Sequence, residues 1–93
     1  MTNLKKLYAN GDSCGITDDG IKNLDLIELY AKDNSKITNV NHMTNLKILS
    51  AHDASGIDDN GINNLNLEIL NADNNHKITN VSSMKNLKKL SLD

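Results

Sequence analysis

A leucine frame, Leu-x-x-Leu-x-Ala, recurs along this chain and restricts its fold more than any other feature. The first leucines of four copies, and of a fifth in which leucine replaces the alanine, are Leu4, Leu26, Leu46, Leu67 and Leu87. The copies are thus 22, 20, 21 and 20 residues apart. This period is typical of proteins that stack small similar units, because one such unit cannot bury its apolar face alone. We number the copies repeats 1 to 5 and expect residues 1–93 to form one domain.

Two kinds of repeat alternate in the segments that follow the frame. Repeats 1 and 3 continue with SCGITDDGIKNLD and SGIDDNGINNLN, whereas repeats 2 and 4 continue with DNSKITNVNHMTN and NNHKITNVSSMKN. In repeats 1 and 3, aspartates precede apolar residues at helical spacing, which predicts short α-helices over Asp18–Leu24 and Asp59–Leu65. In repeats 2 and 4 the apolar residues are three apart, which predicts 3-10-like turns and no full α-helix over Thr38–Met43 and Thr79–Met84.

The frame itself predicts one β-strand in each repeat. Side chains alternate along a strand, so the second leucine and the alanine face the core and their neighbours face solvent. Strands stacked in parallel then place the solvent-facing residues in three columns. The columns are Lys6, Glu28, Ile48, Ile69 and Lys89; Tyr8, Tyr30, Ser50, Asn71 and Ser91; and Asn10, Lys32, His52, Asp73 and Asp93.

Both kinds of repeat resemble leucine-rich repeats over essentially the whole chain. The ITNV–M–NL–L copies resemble the internalin-like class, and the ITDDGI–NL copy resembles the cysteine-containing class of F-box substrate adaptors. The alternation, with its many asparagines and lysines, also looks like the repeat proteins of giant viruses of amoebae. The resemblance implies an α/β fold: a short, open, right-handed solenoid with a parallel sheet on its concave face. Short helices that alternate with 3-10 turns would form the convex face.

The resemblance also carries expectations for single residues. Cys14 falls at a turn position that is normally buried in the cysteine-containing class. The family's ladder asparagine is present as Asn34 and Asn75, but repeats 1 and 3 have Asp12 and Ala54 at that position. We therefore expect the internal hydrogen-bond ladder to be interrupted in those two repeats.

Two pairs of large side chains mark the concave face as a candidate binding surface. Tyr8 neighbours Tyr30, and Ile48 neighbours Ile69. Tyrosine is frequent at binding hot spots, and a contiguous exposed apolar patch is unusual on a surface without a partner. Alternatively, the pairs only stabilise the sheet. We expect a protein partner to bind non-catalytically to Tyr8, Tyr30, Ile48, Ile69, Glu28, Lys32, His52, Asn71 and Asp73.

Charge and chemistry argue against other classes of function. Ten basic and twelve acidic residues are evenly mixed, with a net charge of −2, so no basic stripe for nucleic acid is evident. Where the strands end, we expect acidic residues to lie near Asn74 and His52. Their spacing in the sequence matches no metal-binding loop. We therefore predict that they form a solvated acidic rim without a metal or cofactor. No serine or cysteine stands where a base would activate it, so we expect no enzyme activity.

The sequence predicts a soluble, cytoplasmic protein without a membrane partner. No apolar run approaches the roughly 18–20 residues that span a bilayer. The segment MTNLKKLYAN lacks the apolar stretch of a secretory signal. Cys14 is the one cysteine, which excludes an internal disulfide framework and fits a reducing compartment.

The terminal repeats carry no evident capping motifs. Residues 1–4 (MTNL) repeat residues 43–46, and the strand with Leu90 and Leu92 is followed by no turn. Uncovered edge strands favour pairing with other chains, although the lysines near both edges oppose it. The alternative to a binding module is therefore a fragment or engineered segment of a longer array, a homo-oligomer joined through its terminal strands. We favour a two-fold dimer over a head-to-tail ring or filament.

Overall fold

The computed structural model describes residues 4–92 and shows an α/β protein with one parallel sheet. Asp93 of the third column and residues 1–3 of the MTNL segment lie outside the described residues. The strands lie in chain order across the sheet, with one strand in each repeat as predicted. They are β1 (Lys6–Tyr8), β2 (Glu28–Tyr30), β3 (Ile48–Ser50), β4 (Ile69–Asn71) and β5 (Lys89–Ser91).

The register of the sheet confirms two of the predicted columns. Lys6 pairs with Glu28, and the line continues through Ile48 and Ile69 to Lys89. The second column is aligned in the same way. The middle residue of each strand is the second leucine of the frame, and it points to the other side of the sheet. A one-residue slip would move every leucine out of the core, so the frame fixes the register.

The helices occur where the sequence predicts them but are shorter. Helix α1 spans Asp18–Ile21 and helix α2 spans Asp59–Ile62, so the predicted extensions to Leu24 and Leu65 were wrong. Leu24 and Leu65 instead lie in a tight turn directly after each helix. The N–H of each leucine donates to the carbonyl of the residue three positions earlier, at 3.0 Å. The two apolar residues are three apart, and a single tight turn places such a pair on the core side as well as another helical turn would. Asp58 caps α2 by accepting from the N–H of Gly61 at 2.9 Å.

Repeats 2 and 4 contain no helix over 38–43 and 79–84, as predicted. Single turns replace a continuous 3-10 helix: in repeat 2, Met43 N–H donates to Val40 O and Leu46 N–H donates to Met43 O, both at 3.0 Å. Repeat 4 has the matching bonds. The 3-10 helix within the described residues is at Asp12–Cys14 in repeat 1, where the sequence did not predict one.

The core is a stack of leucine, isoleucine and alanine layers between the sheet and these turns. Leu29 and Leu49 are fully buried, and Leu70 is 1% exposed. The layers open at β5, where Leu90 is 42% exposed and Leu92, in the position of the alanine, is 46% exposed. Among residues 4–92, no helix is long and apolar enough to cross a membrane.

Two buried asparagines tie repeats 2 and 4 to the repeats before them. The side-chain amide of Asn34 donates to Ala9 O at 2.9 Å and Ile16 O at 3.0 Å, and its Oδ1 accepts from Lys36 N at 3.0 Å. Asn75 makes the corresponding bonds in repeat 4. In repeat 1, Asp12 is exposed and accepts from Ser35 of the next repeat instead. The predicted interruption of this ladder is confirmed there.

Aspartates on the turn side of the molecule bind the following repeat. Asp59 accepts from the backbone N–H of Thr79 at 2.8 Å and from its hydroxyl at 2.6 Å, and Asp18 makes the same bonds to Thr38. Hydrogen bonds from the hydroxyl and N–H of Thr79 lower the pKa of Asp59 below its usual 3.8. Hydrogen bonds from Ser35 lower the pKa of Asp12 in the same direction.

The Asp59–Thr79 contact gives a prediction about titration. In Thr79→Val, the pKa of Asp59 should rise towards 3.8, because its largest cause of lowering, the hydroxyl hydrogen bond, is lost. In the unsubstituted chain this carboxylate stabilises the fold above about pH 3.8, and that contribution is lost as the pH falls through the lower folded pKa. Carboxyl NMR titration measures the change, with Asp12 as an internal control. An unaltered Asp59 pKa would contradict the assignment.

Candidate protein-binding face

The candidate site lies on the side of the sheet opposite the leucines, which we call the front face. It consists of the first two columns, Lys6 to Lys89 and Tyr8 to Ser91. The parallel register brings together six of the nine predicted site residues on this face. They are Tyr8, Tyr30, Glu28, Ile48, Ile69 and Asn71.

The two tyrosines form a stacked pair at one end of the front face. Their ring centroids are 4.6 Å apart and the rings are within 13° of parallel. Tyr8 lies on the edge strand and is 61% exposed, whereas Tyr30 is partly buried. Stacked rings restrict each other's side-chain conformations, so this pair would lose less conformational freedom on binding than free side chains.

Two charged residues hold this pair in place. The Tyr30 hydroxyl donates to Glu28 Oε1 at 2.6 Å, and this hydrogen bond, with partial burial, raises the pKa of Tyr30. Lys6 Nζ lies 3.7 Å from Glu28 Oε1 and 5.4 Å from the centroid of the Tyr8 ring. The interaction of Lys6 with Tyr8, followed by the charge of Glu28, raises the pKa of the lysine. The nine predicted site residues do not include Lys6, although its charge is opposite to that of Glu28 beside it in the first column.

Ile48 and Ile69 continue the apolar part of the front face on β3 and β4. They are paired in the register and half-buried. Ser50, paired with Tyr30, is buried, and Asn71 beside it is half-buried. The two tyrosines and the two isoleucines therefore form an apolar diagonal across the front face. It runs from the second column on β1 and β2 to the first column on β3 and β4.

The third column forms a polar border at the end of the strands. Lys32 Nζ lies 3.9 Å from Asp53 Oδ2, and His52 Nδ1 lies 3.4 Å from the same oxygen. Asp73 is joined to this group through the backbone, because its carbonyl accepts from the Asp53 N–H at 2.8 Å. Its Oδ1 accepts from the Ser91 hydroxyl, and its N–H donates to Asn71 Oδ1 at 3.2 Å. The remaining three predicted site residues, Lys32, His52 and Asp73, thus lie at this border.

The acidic residues at this border serve the turns between repeats. Asp33, Asp53 and Asn74 occupy one equivalent position, each with a φ near +60°, and Gly11 has a φ of +79° there. Asp33 Oδ1 accepts from Ala54 N at 3.0 Å, and Asp53 Oδ1 accepts from the Asn74 amide at 3.1 Å. Within residues 4–92, no group of three or more His, Cys, Asp or Glu side chains is placed to hold a metal ion.

Cys14 is exposed, so the expectation that it is buried was wrong. Ser55 occupies the same position in repeat 3 and is fully buried. The difference arises because repeat 2 packs over Ser55, whereas no described repeat precedes Cys14. Its sulfur contacts the Asn34 amide at 3.6 Å.

A shallow concavity lies away from the front face. It is an open depression of about 200 Å³ between repeats 2 and 3, lined by Thr38, Asn39, Asp58, Asn60 and Gly61.

Comparisons of this chain with protein-family models, with curated proteins and with solved structures find no match.

Proposed function

We propose that this chain is a leucine-rich-repeat solenoid that binds another protein, without catalysis, through the front face of its sheet. The observation that carries the proposal is the stacked Tyr8–Tyr30 pair, of which Tyr8 is 61% exposed on a sheet edge. A buried hydrogen-bonded tyrosine would serve packing alone. An exposed one, held by its neighbour, supplies a large and rigid contact area with a polar tip.

The chemistry of the face indicates the kind of partner. The apolar diagonal formed by the two tyrosines and the two isoleucines is suited to an apolar protein segment. Charges of both signs surround it, with Lys6 and Glu28 at one end and Lys32 and Asp53 at the border. This mixture favours a protein with a mixed-charge rim over a polyanion such as nucleic acid.

The proposal is tested by comparing a front-face variant with a variant on the turn side. Proteins captured by the immobilised chain are purified, and their Kd values are measured by calorimetry for the unsubstituted chain, Tyr8→Ala and Lys36→Ala. Tyr8→Ala should weaken a genuine partner about 30-fold, the effect of a hot spot worth about 2 kcal/mol. Lys36 is an exposed turn residue, and its variant should bind nearly as the unsubstituted chain does.

Thermal melts establish beforehand that both variants are folded. Equal binding by the unsubstituted chain and Tyr8→Ala for every captured protein would reject the front face as the site. A loss confined to Lys36→Ala would move the site to the turn side.

A further inference from the structure

The stacked tyrosine pair has a base in position to accept the phenol proton of one ring. The Tyr30 hydroxyl donates to Glu28 Oε1 at 2.6 Å, within the short range of hydrogen bonds from a hydroxyl to an ionised carboxylate. A phenol loses an electron more readily when its proton leaves at the same time, because the product is then a neutral radical and not a cation. Glu28 therefore lowers the barrier to one-electron oxidation of Tyr30.

Tyr8 has a different electrostatic environment. Among residues 4–92, no carboxylate accepts a hydrogen bond from its hydroxyl, and the Lys6 ammonium interacts with it instead. Lys6 Nζ lies 5.4 Å from the centroid of the Tyr8 ring and 6.0 Å from that of Tyr30. A cation held over a ring by its electron density opposes removal of an electron, most strongly at the nearer ring. Oxidation should therefore begin at Tyr30.

The two rings are arranged so that radicals formed on them can couple. Their centroids are 4.6 Å apart and their planes are within 13° of parallel, so carbons of one ring lie against carbons of the other. The strand register that pairs Tyr8 with Tyr30 keeps them there. In a phenoxyl radical the unpaired electron is shared with the carbons next to the oxygen-bearing carbon. The chain contains two tyrosines and no tryptophan, so it has no other such ring to which the radical could pass.

We propose that Tyr8 and Tyr30 become cross-linked by a one-electron oxidant, with Glu28 as the first proton acceptor. The oxidant takes one electron from Tyr30, and the hydroxyl proton moves to Glu28. A second equivalent of oxidant takes one electron from Tyr8, whose proton goes to water. A carbon–carbon bond then forms between the ring positions next to the two oxygen-bearing carbons.

Loss of the ring proton at each bonded carbon, and return of a proton to each oxygen, restores both phenols. The net change is the transfer of two electrons to the oxidant and the release of two protons to solvent, one of them through Glu28. The new bond joins β1 to β2 covalently. It requires no partner protein, so the cross-link does not depend on the proposed function.

Photo-oxidation of the folded chain tests for the cross-link directly. A photoexcited ruthenium polypyridyl complex with a sacrificial electron acceptor supplies the oxidant. Cys14 is alkylated beforehand, because its exposed thiol would compete for the oxidant. In dilute solution the product should have the mass of a single chain less two hydrogen atoms and should fluoresce as dityrosine. Proteolysis should release the two tyrosines in one linked peptide.

The rate of radical formation after a laser flash tests the role of Glu28. Tyr8→Phe retains the Tyr30–Glu28 pair, and adding Glu28→Gln leaves an amide that accepts the hydrogen bond but cannot take up the proton. The rate should then fall about 100-fold, the lower end of the effect of a positioned general base. Tyr30→Phe, which retains only Tyr8, should be comparably slow.

Glu68→Gln in the Tyr8→Phe chain is the matched control. It removes the same charge directly before β4, away from the rings, and should leave the rate unchanged. Melting temperatures establish that every variant is folded at the temperature of measurement. An oxidised chain without the cross-link, or with links only between chains, overturns the proposal. Radical formation that is equally fast with and without Glu28→Gln, or equally slowed by Glu68→Gln, overturns Glu28 as the proton acceptor.

Discussion

Truncating Leu49 to alanine should cost about 2–5 kcal/mol and leave the chain largely unfolded at ambient temperature. Leu49 is fully buried in the middle strand and lies between Leu29 and Leu70 in the register, so core layers cover it on both sides. A repeat contacts only its sequence neighbours, and a cavity in repeat 3 weakens its packing against both repeats 2 and 4. Thermal and chemical denaturation followed by circular dichroism measure the loss.

Tyr30→Ala is the control for this prediction, because Tyr30 is the neighbouring large side chain on the front face. It loses the stack with Tyr8 and the hydrogen bond to Glu28, together about 1–2 kcal/mol, and the variant should remain folded. Equal melting temperatures for the two variants would remove the distinction between the core side and the front face of the sheet.

Asn34→Ala should have a comparable effect, about 3 kcal/mol or more. The substitution leaves the Ala9 and Ile16 carbonyls and the Lys36 N–H without their partner, and each buried group left without a hydrogen bond costs about 1–3 kcal/mol. Asn34 is fully buried, and the carbonyls that it binds belong to repeat 1. The variant should therefore lose the attachment of repeat 1 first.

Hydrogen exchange measured by mass spectrometry resolves this order of loss along the chain. Asn39→Ala is the control, because Asn39 is exposed in the same repeat and its side chain accepts a local hydrogen bond from the N–H of Asn41 at 3.0 Å. It should lose well under 1 kcal/mol. Protection in repeat 1 that is the same in Asn34→Ala as in Asn39→Ala would show that the asparagine does not hold repeat 1.

The sheet could be predicted from the sequence because a period of two leaves one register that buries every leucine. Helix lengths could not, since Ile21 and Leu24 are three apart and that spacing suits a helix or a tight turn equally well. The burial of Cys14 was misjudged for another reason: a repeat position is buried only when a neighbour covers it, and this neighbour is a matter of tertiary structure.

The candidate site, too, could be predicted from the sequence only in part. Pairing of Tyr8 with Tyr30 follows from register, and so does their exposure. The arrangement of Lys6 and Glu28 around the rings depends on side-chain rotamers, which a column of residues does not specify. The side-chain partners at the polar border could not be predicted for the same reason: Asp73 accepts from Ser91, whereas Asp53 lies beside Lys32 and His52.

Hydrogen bonds from two glycine N–H groups affect how readily this chain loses asparagine side-chain ammonia by deamidation. Asn10-Gly11 and Asn60-Gly61 are linkages that lose ammonia readily in flexible peptides, because the glycine nitrogen can attack the asparagine side chain. Here Gly11 N–H donates to Lys32 O at 2.7 Å, and Gly61 N–H donates to the backbone and side chain of Asp58. Both nitrogens are held away from that attack by contacts that exist only in the folded chain. The extent of deamidation at either site therefore measures how long its repeat has been locally unfolded.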